Sequence, residues 1–241
     1  MRRTTVHFVF ASALLIIATF AALGQSKDEF STELMQGMCT FASSGRNIYF
    51  NLTPGYQLTL ENKKGGKLVI TVRYETKKIG NVETRVVEEN ESSNGKTVEI
   101  SHNYFAYCNE NSGIYYFGEQ TDIYKDGIVV DHEGSWEATG NNRPGLAMPA
   151  LPLLGARYYQ EIAPGVAMDR AEIVSMSEIL KTPGGDFMNC LKTLETTPLE
   201  KGEKEYKTYA PGVGLIQDED MLLTRWSEVE PQPGRIKKDG E

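Results

Sequence analysis

Side chains alternate between apolar and polar along much of this chain, and a period of two admits few folds. Between residues 67 and 75 the even positions Leu68, Ile70, Val72 and Tyr74 are apolar, while Lys67, Thr71, Arg73 and Glu75 are polar. Successive side chains of a strand point to opposite faces, so this run reads as a strand with one buried and one wet face. Residues 97–107 repeat the pattern. Further runs suited to strands lie at 56–61, 82–88, 114–119, 157–162, 190–196, 205–210 and 222–226. Residues 171–180 are ambiguous, because Ile173, Met176 and Leu180 also fall on one helix face.

Turn chemistry separates these runs. Pro54, Pro144, Pro164, Pro183, Pro211 and Pro233 each stand directly before glycine. Proline presets φ for the second residue of a turn, and glycine then supplies the positive φ of a type II turn. Asn94-Gly95 and Asp126-Gly127 are pairs favoured in two-residue hairpins. Strands spaced by such turns predict a meander of hairpins. The expected fold is mainly β: a single antiparallel, strongly curved sheet, half-barrel or sandwich-like, with few short helices.

The N-terminus has the three parts of a secretory signal. Arg2 and Arg3 give a positive end, residues 8–20 are uncharged and mostly apolar, and Ala22-Leu23-Gly24 offers small residues for cleavage before Gln25. The apolar run falls short of the roughly 20 residues a membrane-spanning helix needs. The expected organisation is therefore a signal peptide over 1–24, a polar lead-in over 25–45, an antiparallel β domain over 46–227 and a disordered tail over 228–241. The expected location is extracytoplasmic, periplasmic or secreted, with no transmembrane span in the mature chain.

Cleavage would remove Arg2 and Arg3 and take the formal charge from −8 to −10. A net-negative chain without a basic block argues against nucleic acid and against anionic membrane surfaces as partners. Three cysteines remain, Cys39, Cys108 and Cys190. Outside the cytoplasm two could form a bridge, leaving one thiol; the sequence does not say which two. No CxxC spacing supports a zinc or redox site.

Residues 136–164 stand apart, being apolar yet dense in proline and glycine. Such a segment is expected to be neither helix nor regular strand, and to bury itself as a plug across the open end of the sheet or as a lid over a ligand cavity.

Catalytic motifs are absent. Outside the signal only His102 and His132 are histidines, and there is no Gly-x-Ser-x-Gly elbow, His-Glu-x-x-His, phosphate loop or dinucleotide fingerprint. Asp122 to Gly127 faintly resembles a calcium loop but lacks the alternating oxygen ligands, and a hairpin turn explains it. No cofactor or metal is expected. Carboxylates are the one catalytic resource in quantity: Glu119, Glu133, Glu161, Asp169 and Glu172 lie close in sequence to aromatic residues. Glu161 and then Glu119 are the candidates for acid–base work on a sugar. Trp136, Met148, Tyr159 and Tyr116 are the candidates for ligand contact.

Residues 114–216 resemble an uncharacterised family of exported bacterial β-rich proteins. The matching blocks are Tyr116-Phe117-Gly118-Glu119, Gly134-Ser135-Trp136, Pro144-Gly145 with Met148-Pro149, Tyr159-Gln160-Glu161, Thr197-Pro198-Leu199-Glu200 with Gly202, and Tyr209 to Leu215. Glu195-Thr196-Thr197-Pro198 departs from an expected Glu-Trp-Thr-Pro and loses an aromatic. More distantly the pattern is similar to the curved half-barrels of the periplasmic lipoprotein carriers (LolA and LolB). The resemblance implies an extracytoplasmic β protein and brings no catalytic residues with it.

Three functional expectations follow. The first is a non-enzymatic binding or envelope-associated protein holding a lipid or other apolar or amphipathic small molecule on its concave face. The second is a carboxylate-dependent hydrolase of the glycosidase kind. The third is a structural or interaction module whose partner is another envelope protein.

Overall fold

The computed structural model of the chain describes residues 29–228. The expected signal segment, and the tail after residue 228, lie outside these residues.

Hairpins dominate, as the alternation predicts. The first half contains β1 (Phe41–Ala42), β2 (Tyr56–Glu61), β3 (Gly66–Ile79), β4 (Val82–Ser93), β5 (Lys96–Cys108) and β6 (Ile114–Lys125). Short strands follow: β7 (Ile128–Asp131), β8 (Trp136–Glu137), β9 (Arg143–Met148), β10 (Arg157–Tyr159) and β11 (Glu161–Ile162). The chain ends in β12 (Arg170–Thr182), β13 (Gly185–Thr196), β14 (Glu205–Ala210), β15 (Gly214–Asp218) and β16 (Met221–Glu228). Among the described residues the one helical element is a 3₁₀ turn at Gln36–Met38. The ambiguous 171–180 run is strand, held between β10 and β13.

All named strands pair antiparallel in one sheet, whose path runs β10-β12-β13-β14-β15-β16-β2-β3-β4-β5-β6-β9-β11. The path's two ends, β10 and β11, are separated in sequence by Gln160 alone. The chain therefore joins the edges of its own sheet, and the result is a nearly closed barrel. At this seam the amides of Gln160 and Glu161 both donate to the Asp169 carbonyl, at 2.7 and 3.1 Å.

Two expectations about residues 136–164 are corrected here. First, residues 143–148 are a regular strand. Residues 145–148 span its pairing with β6, while Pro144 lies beyond that ladder, opposite Glu161, so its missing N–H breaks no bond to β6. Pro144-Gly145 is accordingly not a turn. A Cβ on Gly145 would stand 2.0 Å from the Gln160 carbonyl oxygen, so glycine is what lets β9 approach the seam. Second, the segment does not plug the barrel: its strands form part of the wall, with Trp136, Met148 and Ile162 buried, and its apolar loop stays in water. Leu151, Leu153 and Leu154 are 83%, 70% and 69% exposed.

The plug is residues 47–52 instead. Leu52 and Tyr49 are buried, and Phe50 meets Phe105 edge-on at 5.1 Å. Asn47 Nδ2 donates to the Ser112 and Met148 carbonyls on one side of the barrel. On the other side Tyr49 donates to the Asn189 carbonyl, and the Gly212 amide donates to that of Ile48.

The lead-in belongs to the fold. Strand β6 opens with Ile-Tyr-Tyr-Phe-Gly, a continuous apolar run buried on both faces. Tyr116 faces inward, while Phe41 of the lead-in meets Tyr115 and Phe117 at 5.3 and 5.1 Å. Tyr115 also donates to the Leu34 carbonyl at 2.5 Å. A disulfide between Cys39 and Cys108 fixes this wrap to β5, and Cys190 is the buried free thiol.

Most other turns are as expected, but Gly184 after Pro183 lacks the positive φ of a type II turn. Asn94-Gly95 and Asp126-Gly127 have positive φ at both residues, the type I′ signature. Gly55, Gly165 and Gly212 after their prolines also have positive φ.

Candidate functional site

Closing the sheet turns its inner face into a cavity, of about 360 Å³. Polarity changes along its axis. On β5 the lining residues run Phe105, Asn103, Ser101, Glu99; on β4, Val87 then Glu89; on β14, Tyr209 then Lys207. These strands lie in register, with Val87 opposite Asn103 and Glu89 opposite Ser101. One end is therefore apolar and aromatic, with Phe105 stacked on Tyr116 at 4.5 Å and the 47–52 plug across it. The other end is acidic. Phe105, Tyr116, Val87 and Tyr209 are buried, whereas Glu89, Glu99, Lys207 and Asp218 are part-exposed and Asp169 is exposed. The mouth is at the acidic end.

Seven carboxylates line this space, from Glu89, Glu99, Glu119, Glu161, Asp169, Glu195 and Asp218, against one ammonium, Lys207. They are not equally served. Lys207 Nζ lies 3.2 Å from Glu195 Oε2. Glu195 Oε1 accepts from Gln160 Nε2 at 3.2 Å, Thr193 Oγ1 at 3.1 Å and the Tyr209 hydroxyl at 3.5 Å. The Glu195 carboxylate, chiefly, holds the Lys207 ammonium well above its ordinary range.

Glu161 is the opposite case. It is 7% exposed, yet it forms no ion pair, and its carboxylate takes no hydrogen bond of ordinary geometry. The Trp136 indole N–H and the Asp169 backbone N–H both approach it, neither in a well-formed bond, and the indole nitrogen is itself buried without one. Burial, and then the neighbouring Glu119 and Asp169 charges, raise the Glu161 carboxyl well above the usual range. Glu119 is pushed to about 7, mainly by burial, and so is Glu89. Glu119 keeps the Tyr116 hydroxyl nearby, although Tyr116 donates to Asn103 Oδ1. The Gln160 side-chain oxygen is a further buried acceptor without a partner on the cavity wall.

Among the described residues, no three of these carboxylates bring oxygens within 4.8 Å of one another. A compact divalent ion would need such convergence.

The six residues singled out by sequence divide. Glu119, Glu161 and Tyr116 line the cavity. Trp136 is buried behind it, edge-on to Tyr116 at 5.6 Å. Met148 is buried and pairs across β6, and Tyr159 packs against Phe30 at 6.2 Å; neither lines the cavity. Asp169 is at the mouth, while Glu172 is paired with Arg157 at 2.9 Å and Glu133 is exposed. Sequence reasoning missed Glu89, Glu99, Glu195, Lys207 and Asp218. The concave face is thus not the uniformly apolar one expected. The signal that would have found Glu89 and Lys207 is their phase: each stands two residues from an inward apolar side chain, Val87 and Tyr209.

No family model, no curated protein and no solved structure matches this chain.

Proposed function

We propose that this chain is an extracytoplasmic, non-enzymatic binding protein that holds an amphipathic small molecule inside its barrel. The observation that carries the reading is the cavity's polarity gradient: a plugged aromatic end and an acidic, water-facing mouth enclose space in the size range of small-molecule sites. A barrel interior with no ligand to hold would be expected to fill with apolar side chains. The N-terminal signal pattern and the Cys39–Cys108 bridge support an oxidising location. The likeness to exported β-rich proteins and lipoprotein carriers agrees with the same reading.

Titration with N-phenyl-1-naphthylamine, a neutral dye that fluoresces in apolar surroundings, tests it. Saturable binding is expected, lost when Ala147, which lines the cavity, is replaced by Trp. A folded wild-type chain that neither binds the dye nor carries any molecule by native mass spectrometry would refute the reading.

One observation favours a second reading, a carboxylate-dependent hydrolase. Glu119 lies close enough to Glu161 for its charge to strengthen that carboxyl's hold on a proton, and sugar hydrolysis needs one carboxyl protonated and one ionised. Full turnover in both Glu119→Gln and Glu161→Gln variants would end it. The third reading, an interaction module of the cell envelope, draws on the exposed Leu151 and Leu153, which border a shallow apolar groove with Leu34 and Met35.

A further inference from the structure

The binding reading leaves open what kind of amphipathic molecule the barrel would take, and the cavity's own chemistry narrows it. A neutral or anionic amphiphile would set its polar end among Glu89, Glu99, Glu119, Asp169 and Asp218. An anion there meets like charge, and a neutral alcohol leaves those charges unanswered. Lys207 is the single cation on the wall and is already engaged by Glu195.

Glu161 is the more specific pointer. Nine-tenths buried and facing the cavity, it has no cation and no well-formed donor, although the fold supplies four partners to Glu195 on the same wall. Buried carboxylates are ordinarily paired with a cation, and one approached only by the Trp136 and Asp169 N–H groups is expensive to keep ionised. The Gln160 carbonyl oxygen of the side chain adds a second unanswered acceptor beside it. Both want a donor from outside the chain. Since the carboxylates do not converge in threes, a bare divalent ion does not fit. A bulkier cation with several N–H donors does.

We infer that the barrel binds an organic cation, an amine carried on an apolar body, with the apolar part against Phe50, Phe105, Leu58 and Val87 and the ammonium among Glu161, Glu119 and the Gln160 side-chain oxygen. This rests on the binding reading and adds the charge of the ligand to it. The apolar body enters first, because the mouth is at the acidic end and the plug at the apolar one. The ammonium then replaces the protons that Glu119 and Glu161 would otherwise retain, which is why burial there is tolerated.

Isothermal titration calorimetry of the mature chain at pH 8 with octylammonium, octanol and octanoate separates the possibilities. Octylammonium should bind at least tenfold tighter than octanol, and octanoate weakest. The Glu161→Gln variant, which keeps the side chain's shape, should lose most of that preference, octylammonium falling toward the affinity of octanol. Equal affinity for octylammonium and octanol, or a preference for octanoate, overturns the cation assignment and leaves the binding reading standing. Octylammonium preferred but undiminished in Glu161→Gln and in the Glu119→Gln, Glu161→Gln double variant overturns the placement of the site. No heat from any of the three, with a folded chain that also ignores the neutral dye, defeats both readings together.

Discussion

Glu195 and Glu161 are buried glutamates on one cavity wall, and they have been treated in opposite ways. Glu195 holds Lys207, Gln160, Thr193 and Tyr209 in a single cluster that ties β13, β14 and the seam together. Glu161 sits beside the same seam with no cation and only the Trp136 and Asp169 N–H groups approaching it. A buried polar cluster that is fully satisfied rigidifies a fold, whereas an unsatisfied group weakens it and persists where something other than folding requires it. The first carboxylate is a structural device, and the second is the one we infer to meet a ligand's cation.

Substitution should therefore move the two in opposite directions. The largest effect is expected at the satisfied cluster. Glu195→Leu removes one member of a buried pair and leaves Lys207, Gln160 and Tyr209 without their acceptor. Discounting for the water that reaches Lys207, this should lower stability by about 2–3 kcal/mol in urea unfolding. No loss at all would mean the cluster does not hold the wall.

The unsatisfied side should appear as a pH dependence. Glu89 and Glu119 titrate near 7 in the folded chain, above the ordinary 4.5. Between those values the folded state binds protons that the unfolded state has released, so stability falls as pH rises from about 4.5 to 7. Unfolding at pH 5.5 and pH 8 should differ by about 2 kcal/mol in favour of the acid side, after allowance for solvent at the mouth. The double Glu119→Gln, Glu161→Gln variant should flatten this slope, and a slope of the opposite sign would contradict the burial on which it depends.

The smallest expected effect has the most diagnostic sign. Glu161→Gln should raise stability at pH 8 by about 1 kcal/mol, because a carboxyl in this buried site must either take up a proton or ionise at a cost on folding, and a neutral amide of equal size does neither. A drop of the Glu195→Leu kind would show that Glu161 has partners after all.

Much of the barrel was legible beforehand because its causes are local. Leu68, Ile70 and Val72 alternate inward as their phase demands, and Asn94-Gly95 forms the turn its φ preferences dictate. Tyr74 breaks phase: it is 52% exposed, because β3 bulges between Val72 and Thr76. There the Arg85 guanidinium fills the gap by donating to the Arg73, Tyr74 and Glu75 carbonyls, a tertiary arrangement that no local pattern announces. Closure was hidden for a similar reason. Pro144-Gly145 has turn composition, and only the approach of Gln160, distant in sequence, makes a strand glycine of it. The acidic site was half visible: Glu119 and Glu161 were found beside aromatics, but Glu195 and Asp218 come together only across a finished sheet.

The open, acid-lined cavity can be probed most directly by placing a thiol in it. Ser101 lines the cavity between Asn103 and Glu99 on β5, and Cys190 is a buried thiol that should stay inert. In Ser101→Cys, a cationic aminoethyl methanethiosulfonate should label Cys at that position at least tenfold faster than its anionic sulfonatoethyl counterpart, and both far faster than Cys190. A thiol there as slow as Cys190 with both reagents would mean that the barrel holds no accessible interior.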